Sequence, residues 1–382
     1  MRIGFDGAAL QRPLYRPRGV HQYARHLLQH LLRVQGGHEV ELLLPEPAPE
    51  PEDLPRGLRR VHHAPALPPW VPFEVRQQLY YTLQVRRSGC DVLFFPTHHA
   101  APPISPGPSV ITILDLIPER VGGRGRKGAK FRLLSLYRRW AARQAHRLLT
   151  ISEASRRDIV QIYRIPAERI TVTHLAAAPA CRPIPRDQAW QRLKGRYPLA
   201  EPFLLAVGGF EPQKNLQELV RAFGTLKRKG PLPHVLVLAG AIPAGPEVAA
   251  LVHEAVVAGC QRDVIFLGFI PENDLPALYS AADALAYPSR HEGFGLPVLE
   301  AMACGTPVVA GRGGAVPEVA GDAALLVDPE EAGGLQEALW RVLTDPCLRE
   351  DLATRGLARA RQFSWERTAS DTLHVLEEAV RP

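Results

Sequence analysis

The sequence predicts an α/β protein built from two Rossmann-like β/α/β domains that face a central cleft. Short apolar, strand-like runs alternate with amphipathic helical patterns in both halves of the chain, the pattern of parallel sheets covered by helices. The 382 residues exceed what a single core usually serves. Between the two series, Pro183, Pro185, Pro198 and Pro202 stand among polar side chains, as in interdomain linkers. The expected organisation is a first domain over 1–182, a linker over 183–202, a second domain over 203–362, and a C-terminal helix over 363–382 that crosses back to the first domain.

Taken in order, Ile3 to Phe5 reads as a strand. Gly19 stands in a loop before a helix carrying Tyr23, Leu27, Leu28, Leu31 and Leu32, and Val40 to Leu44 reads as the next strand. Alternating prolines and acidic residues from Pro45 to Pro55 predict an extended solvated loop. A helix near Phe73 to Arg87 precedes two strand-like runs, Val92 to Phe95 and Val110 to Leu114. The first is followed by Thr97, His98 and His99, the second by Asp115, at carboxyl ends where open α/β sheets bind ligands. Ser152 is placed to cap a helix after the strand Leu148 to Ser152. In the second half, the strand Phe203 to Val207 runs into Gly208-Gly209 and then Lys214-Asn215 before a helix. Further strands are read at 234–239, 264–267, 284–287, 308–309 and 324–327.

Hydrophobic residues at 46% and charged residues at 22% are ordinary for a globular enzyme. The chain contains no apolar run of membrane-spanning length, and Met1-Arg2 leads directly into a strand instead of a signal peptide, so a cytoplasmic protein is expected. Five scattered cysteines without a C-x-x-C pair predict reduced, mostly buried thiols and neither zinc nor a disulfide framework. The net charge of +7 is concentrated between Arg120 and Arg147, a segment with no acidic residue. This localised charge argues against a nucleic-acid binder. Phe131, Leu133, Leu134, Tyr137, Trp140 and Ala141 form an apolar stripe there, so 120–147 reads either as a solvated surface helix or as a contact for an anionic membrane surface at the inner face of the membrane.

The densest chemistry lies in Ser289 to Val309. Two carboxylates eight positions apart, Glu292 and Glu300, flank a turn with Gly293 and Gly295 that enters a helix at Pro297, ended by Gly305-Thr306-Pro307. A helix start approached through glycines offers bare N–H groups to an anion. Carboxylates suit hydroxyl-rich parts of a ligand better than its phosphate, so the stretch points to a sugar nucleotide.

Four segments carry a resemblance to a known family: V-G-G-F-E-P-Q-K-N-L from Val207, F-L-G-F-I-P from Phe266, H-E-G-F-G-L-P-V-L-E-A-M-A-C-G-T-P-V-V from His291 and F-S-W-E-R-T-A from Phe363. They resemble the retaining nucleotide-sugar glycosyltransferases of the family-four type, with their E-x7-E pair of glutamates. Arg18 to Ala24, Thr112 to Pro118 and Thr150 to Ile159 extend the resemblance into the first half. It implies the two-domain GT-B fold, a nucleotide-sugar substrate such as GDP-mannose or a UDP-hexose, and neither metal nor other cofactor. By position, Lys214 would bind the diphosphate, Glu300 the ribose hydroxyls, Ile270 the base through its backbone, and Glu292 the transferred sugar. Gly19, Gly208, Gly209, Gly293 and the backbone N–H groups of Phe294, Gly295 and Leu296 would complete the donor site. Glu292, Asp115 and Lys214 are the expected catalytic residues, and Arg18, His98 and His99 the expected acceptor contacts. Two positions depart from the pattern: Gly209 stands where relatives often carry arginine, with Arg290 or Arg18 as candidate replacements, and Leu114 stands where they carry histidine.

The function the resemblance implies is transfer of a hexose, such as mannose, to a glycan or lipid-linked saccharide acceptor in cell-surface polysaccharide biosynthesis. A nucleotide-sugar epimerase or hydrolase of the same fold, or a catalytically weakened sugar-nucleotide-binding protein, stands as the alternative.

Overall fold

The computed structural model describes residues 1–11, 19–34, 36–44, 58, 60–63, 76, 78–83, 89–99, 101–102, 104–121, 129–243 and 245–381. Arg18, the proline-rich loop from Pro45 to Pro55, much of the helix expected at 73–87 and the cationic stretch 122–128 lie outside them. The chain forms two compact units, Met1–Leu175 with Ser364–Pro382, and Ala176–Phe363.

The first unit is a parallel sheet of strands β1 (Arg2–Asp6), β2 (Glu39–Leu44), β3 (Arg60–His63), β4 (Val92–Phe95), β5 (Ser109–Thr112), β6 (Arg147–Thr150) and β7 (Ile170–Val172), in the order β3-β2-β1-β4-β5-β6-β7. The described central strands are buried almost throughout, which is why they read as unbroken apolar runs. The order reverses between β1 and β4, so Asp6 and the segment Thr97 to His99 sit at the switch point where open sheets form their ligand crevice. Gly19 is the first residue of the helix Gly19–Val34 and not a loop residue. That helix buries Tyr23, Leu27, Leu28 and Leu31, each worth about 1.5–3 kcal/mol when fully removed from water.

The C-terminal helix Trp365–Val380 belongs to this first unit. Ser364 caps it by accepting from the Arg367 N–H at 3.1 Å, and Trp365 stacks on His26 with ring centroids 5.1 Å apart. The Thr368 hydroxyl donates to the His174 carbonyl at 2.5 Å. Among the described residues, no helix is long and apolar enough to cross a membrane.

The second unit holds β8 (Phe203–Val207), β9 (Val235–Ala239), β10 (Val264–Gly268), β11 (Ala284–Tyr287), β12 (Val308–Gly311) and β13 (Leu325–Val327), all parallel, in the order β10-β9-β8-β11-β12-β13. Its switch point lies between β8 and β11. The loops starting at Gly208 and at Pro288 therefore open side by side, although 80 residues of sequence separate them.

Further sequence expectations are corrected. Residues 183–202 are not a free linker: Arg186–Leu193 is a helix that buries Ala189 and Leu193 in the core of the second unit. Arg186 donates to Asp283 at 2.5 Å and Tyr197 to Asp274 at 2.6 Å, so these polar residues anchor the segment. His234 also lies on Asp283, at 3.1 Å. Burial alone would raise the Asp283 pKa, but His234 and Arg186 outweigh it and hold the carboxyl down at about 2. Another correction concerns the helix Ala129–Gln144, whose apolar residues form two faces instead of one stripe. Ala141 and Ala142 are buried and Tyr137 is half-buried, whereas Leu133, Leu136 and Trp140 point to solvent. The thiols are also more varied than expected, with Cys260 and Cys304 buried but Cys347 exposed.

Candidate functional site

The site of the second unit begins with a backbone constraint. Gly208 leaves β8 at φ +144, a conformation that favours glycine, and its N–H donates to Ala239 at 2.9 Å. The chain then turns through Pro212–Lys214, a short 3₁₀ segment that places the Lys214 side chain back over Gly208. There the Lys214 Nζ lies 2.8 Å from Glu292 Oε1, donates to the Tyr287 hydroxyl at 3.0 Å and stands 5.1 Å from the Tyr287 ring centroid. Burial works against the ammonium charge, but Tyr287 and Glu292 outweigh it, and the Lys214 pKa is held above the ordinary lysine range. Lys214 is thus a fixed cation at the β8–β11 switch point. The structure brings Lys214 and Glu292 into direct contact, a pairing that the sequence does not show.

Glu292 is positioned by its backbone. Its carbonyl accepts from the Ala315 N–H at 3.0 Å, and the segment Gly311 to Gly314, which begins at the last residue of β12, lies close against residues 289–292. A Cβ on Gly311 would meet the Ser289 carbonyl, one on Gly313 the Arg290 carbonyl, and one on Gly314 the Glu292 backbone. Sequence reasoning did not single out this run, although G-R-G-G at the end of a buried strand is a readable sign of close backbone approach. The preceding loop is pinned from the other side, where the Arg290 N–H donates to the Gln213 carbonyl at 2.8 Å.

Gly295, at φ +97, turns the chain into the helix Leu296–Ala303, so the helix starts at Leu296 with Pro297 as its second residue. Phe294 is buried edge-on to Phe363, with ring centroids 6.0 Å apart. Glu300 lies one turn into the helix and accepts from the Tyr279 hydroxyl at 3.0 Å. Burial pushes its pKa up from the usual carboxylate range; the Tyr279 hydrogen bond opposes this and Glu272 adds to it, leaving the value at about 7. Glu272 follows the loop that carries Ile270, so the Glu300 carboxylate and the Ile270 loop lie together. Ile270 is buried, with its side chain in the core of the second unit.

Arg290 is a candidate for the cation absent at Gly209, and in the ligand-free protein it is held elsewhere. It pairs with Glu330 at 2.8 Å, both side chains being largely exposed, while the Glu211 carboxylate crowds the Gly209 Cα. Arg18, the other candidate, is outside the described residues.

In the first unit, Asp115 accepts from the Ile117 N–H at 3.1 Å and so starts the short helix Ile117–Val121. His98 is buried, with its ring 4.2 Å from that of His99, and neither of its ring nitrogens has a hydrogen-bond partner among the described residues. Burial drives its pKa well down, with positive charge on His99 and Arg138 acting the same way, so His98 is a neutral imidazole at physiological pH.

Residues 17–177 match the family described as Glycosyltransferase Family 4, and residues 189–359 match Glycosyl transferases group 1. O-antigen chain mannosyltransferase B from Escherichia coli is 38% identical over 231 residues, covering 60% of this chain and 59% of that protein. A serotype-specific mannosyltransferase from Escherichia coli is 29% identical over 267 residues, covering 69% of this chain and 32% of that protein. The chain therefore spans less than two thirds of the length of these curated relatives. Sucrose-phosphate synthase from Thermosynechococcus elongatus superimposes with a TM-score of 0.77 at 21% identity, over 99% of this chain and 98% of that one, which shows a common fold.

Proposed function

Because the chain belongs to the glycosyltransferases of the family-four type, with the GT-B fold, we propose that it moves a hexose, with retention, from a nucleoside-diphosphate sugar to a glycan or lipid-linked saccharide in cell-surface polysaccharide biosynthesis. The observation that carries the proposal is the Lys214–Glu292 pair at the switch point of the second sheet. With no donor bound, each charge satisfies the other. A diphosphate arriving over Gly208 competes for the ammonium and frees the carboxylate to accept hydroxyls of the attached hexose. Lys214 then stands where negative charge grows as the nucleoside diphosphate leaves, the position at which a fixed cation lowers a barrier most. Glu300 takes the ribose hydroxyls and the Ile270 backbone the base, with Gly293, Phe294, Gly295 and Leu296 around the diphosphate. Asp115, His98 and His99 are assigned to the first unit's contribution, the neutral His98 being able to donate to one hydroxyl and accept from another. Mannose as the hexose is supported by the mannosyltransferase relatives.

The test is incubation with GDP-mannose and UDP-hexoses across a panel of saccharide acceptors, with the products followed by mass and by anomeric NMR signals. An acceptor-linked hexose with the donor's anomeric configuration is expected. Epimerised or free hexose as the main product, with and without acceptor, would overturn the proposal in favour of an epimerase or hydrolase. Donor binding itself should depend on pH. A Glu300 that titrates at about 7 accepts ribose hydroxyls best when ionised, so affinity weakens as pH falls through 7. Stability runs the other way: the folded pKa lies above the unfolded one, so the favourable contribution is complete below about 4.5 and is lost as pH rises through 7. Titration calorimetry from pH 5.5 to 8.5 checks the first trend, and Glu300→Gln should flatten both.

A lipid-linked acceptor also gives a role to the outer face of the helix Ala129–Gln144. Leu133, Leu136 and Trp140 are 69%, 60% and 55% exposed, and Arg132 and Arg143 stand exposed on the same helix. Apolar side chains between cations suit an anionic bilayer surface, where each cation adds about 1 kcal/mol, and such docking would hold the protein at the cytoplasmic face. Vesicles containing anionic phospholipid should co-sediment the protein at low salt. A Leu133→Glu/Trp140→Glu variant that sediments equally well would sink the docking role.

A further inference from the structure

We propose that Ser289 and Asn215 are further donor-binding residues, whose side chains donate hydrogen bonds to the diphosphate of the nucleotide sugar; this rests on the transferase reading above. Ser289 is 1% exposed and lines the same pocket as Gly208, Gly209, Lys214 and Tyr287. Its hydroxyl has no hydrogen-bond partner among the described residues. Asn215 is 5% exposed and sits between Lys214 and Leu216, both of which line that pocket. It holds a left-handed backbone at φ +57, makes no side-chain cap to the helix Leu216–Lys229 that follows, and leaves its Nδ2 without a partner among the described residues. The two segments are tied together by the Arg290 N–H on the Gln213 carbonyl.

Two buried donors without acceptors, next to one cation, are costly to the fold. Alanine at 289 and glycine at 215 would avoid the cost, since glycine adopts a left-handed backbone freely. Their chemistry also suits what this pocket lacks. Gly209 supplies no side chain, Arg290 is paired with Glu330, and Glu211 adds negative charge near Gly209, so among the described residues Lys214 is the partly buried cation that lines this pocket. A diphosphate has more oxygens than one ammonium can satisfy. A hydroxyl and a carboxamide N–H meet the remainder as oriented dipoles, which act strongly on an anion in a site shielded from water. Ser289 comes from the β11 loop and Asn215 from the β8 loop, so together with Lys214 they would grip the diphosphate from both sides of the switch point.

The experiment uses the full chain, with GDP, UDP, ADP and their nucleosides as probes in titration calorimetry. For whichever diphosphate binds the wild type, Ser289→Ala and Asn215→Gly should each weaken binding about tenfold, the worth of a charge-assisted hydrogen bond. Asn215→Asp, equal in size but anionic, should weaken it more. Binding of the matching nucleoside should not change. The ligand-free melting temperature of Ser289→Ala should equal or exceed that of the wild type, because the variant removes an unsatisfied polar group; a purely structural hydroxyl would instead lower it. Diphosphate affinities within twofold of wild type in folded variants would overturn the inference and leave the transferase reading standing. A wild type that binds none of the three diphosphates would overturn both.

Discussion

Lys214→Met is expected to lower kcat/KM for sugar transfer by about 10²–10³-fold, the range found when one preorganised charge-stabilising group is removed from a transition state. The loss should fall on kcat as well as on donor affinity, because leaving-group charge grows during the reaction. The same substitution leaves Glu292, which is 8% exposed, without its cation. Breaking a buried ion pair from one side is strongly destabilising, since the remaining charge keeps its desolvation cost and loses its compensation. The Lys214→Met melting temperature should therefore drop, and Lys214→Met/Glu292→Gln should recover most of it without recovering activity. That non-additivity in stability, set against the persistent loss in rate, separates the catalytic part of Lys214 from its structural part. Wild-type kcat/KM in Lys214→Met would remove the cation from the mechanism altogether.

The ion pair also shows how far the site could be read before the structure. Both parallel sheets were legible, because a strand buried on both faces is an unbroken apolar run, and here nearly all such runs became strands. Lys214 stood out because it follows a strand end through Gly208-Gly209, and Glu292 and Glu300 because they flank the turn with Gly293 and Gly295. Tyr287 and Tyr279 did not, since each is an aromatic in an apolar neighbourhood and its hydroxyl contact crosses to a distant segment, 73 residues away in one case and 21 in the other. The linker expectation failed for a related reason. Prolines break helices locally, but Arg186 and Tyr197 are held by Asp283 and Asp274, partners that only the folded chain brings near. The apolar residues of the helix Ala129–Gln144 do not form one stripe because adjacent leucines at 133 and 134 lie about 100° apart around a helix, so that Leu134 is half-buried and Leu133 exposed.

Gly311 to Gly314 were the most consequential positions passed over, and they give a prediction as large as that for Lys214. Gly314→Ala should lower transfer by about 10²-fold or more while leaving a folded protein. Gly314 sits at φ +64, where a Cβ costs about 1–2 kcal/mol on backbone grounds alone. The added Cβ would also overlap the Glu292 backbone, including its amide nitrogen at 2.6 Å, and backbone cannot swing aside as a side chain can. The segment bearing Glu292 must therefore shift, and misplacement of a reacting group by about 1 Å can cost 10²-fold in rate. Gly305→Ala is the control. Gly305 has φ +77, a comparable strain, but its nearest neighbour is the Leu357 side chain at 3.8 Å, an ordinary contact. Both variants should lose similar thermal stability from the backbone, yet only Gly314→Ala should lose transfer and donor binding together. Equal activity in the two would mean that the glycines serve the turn alone, and that Glu292 holds its place without them.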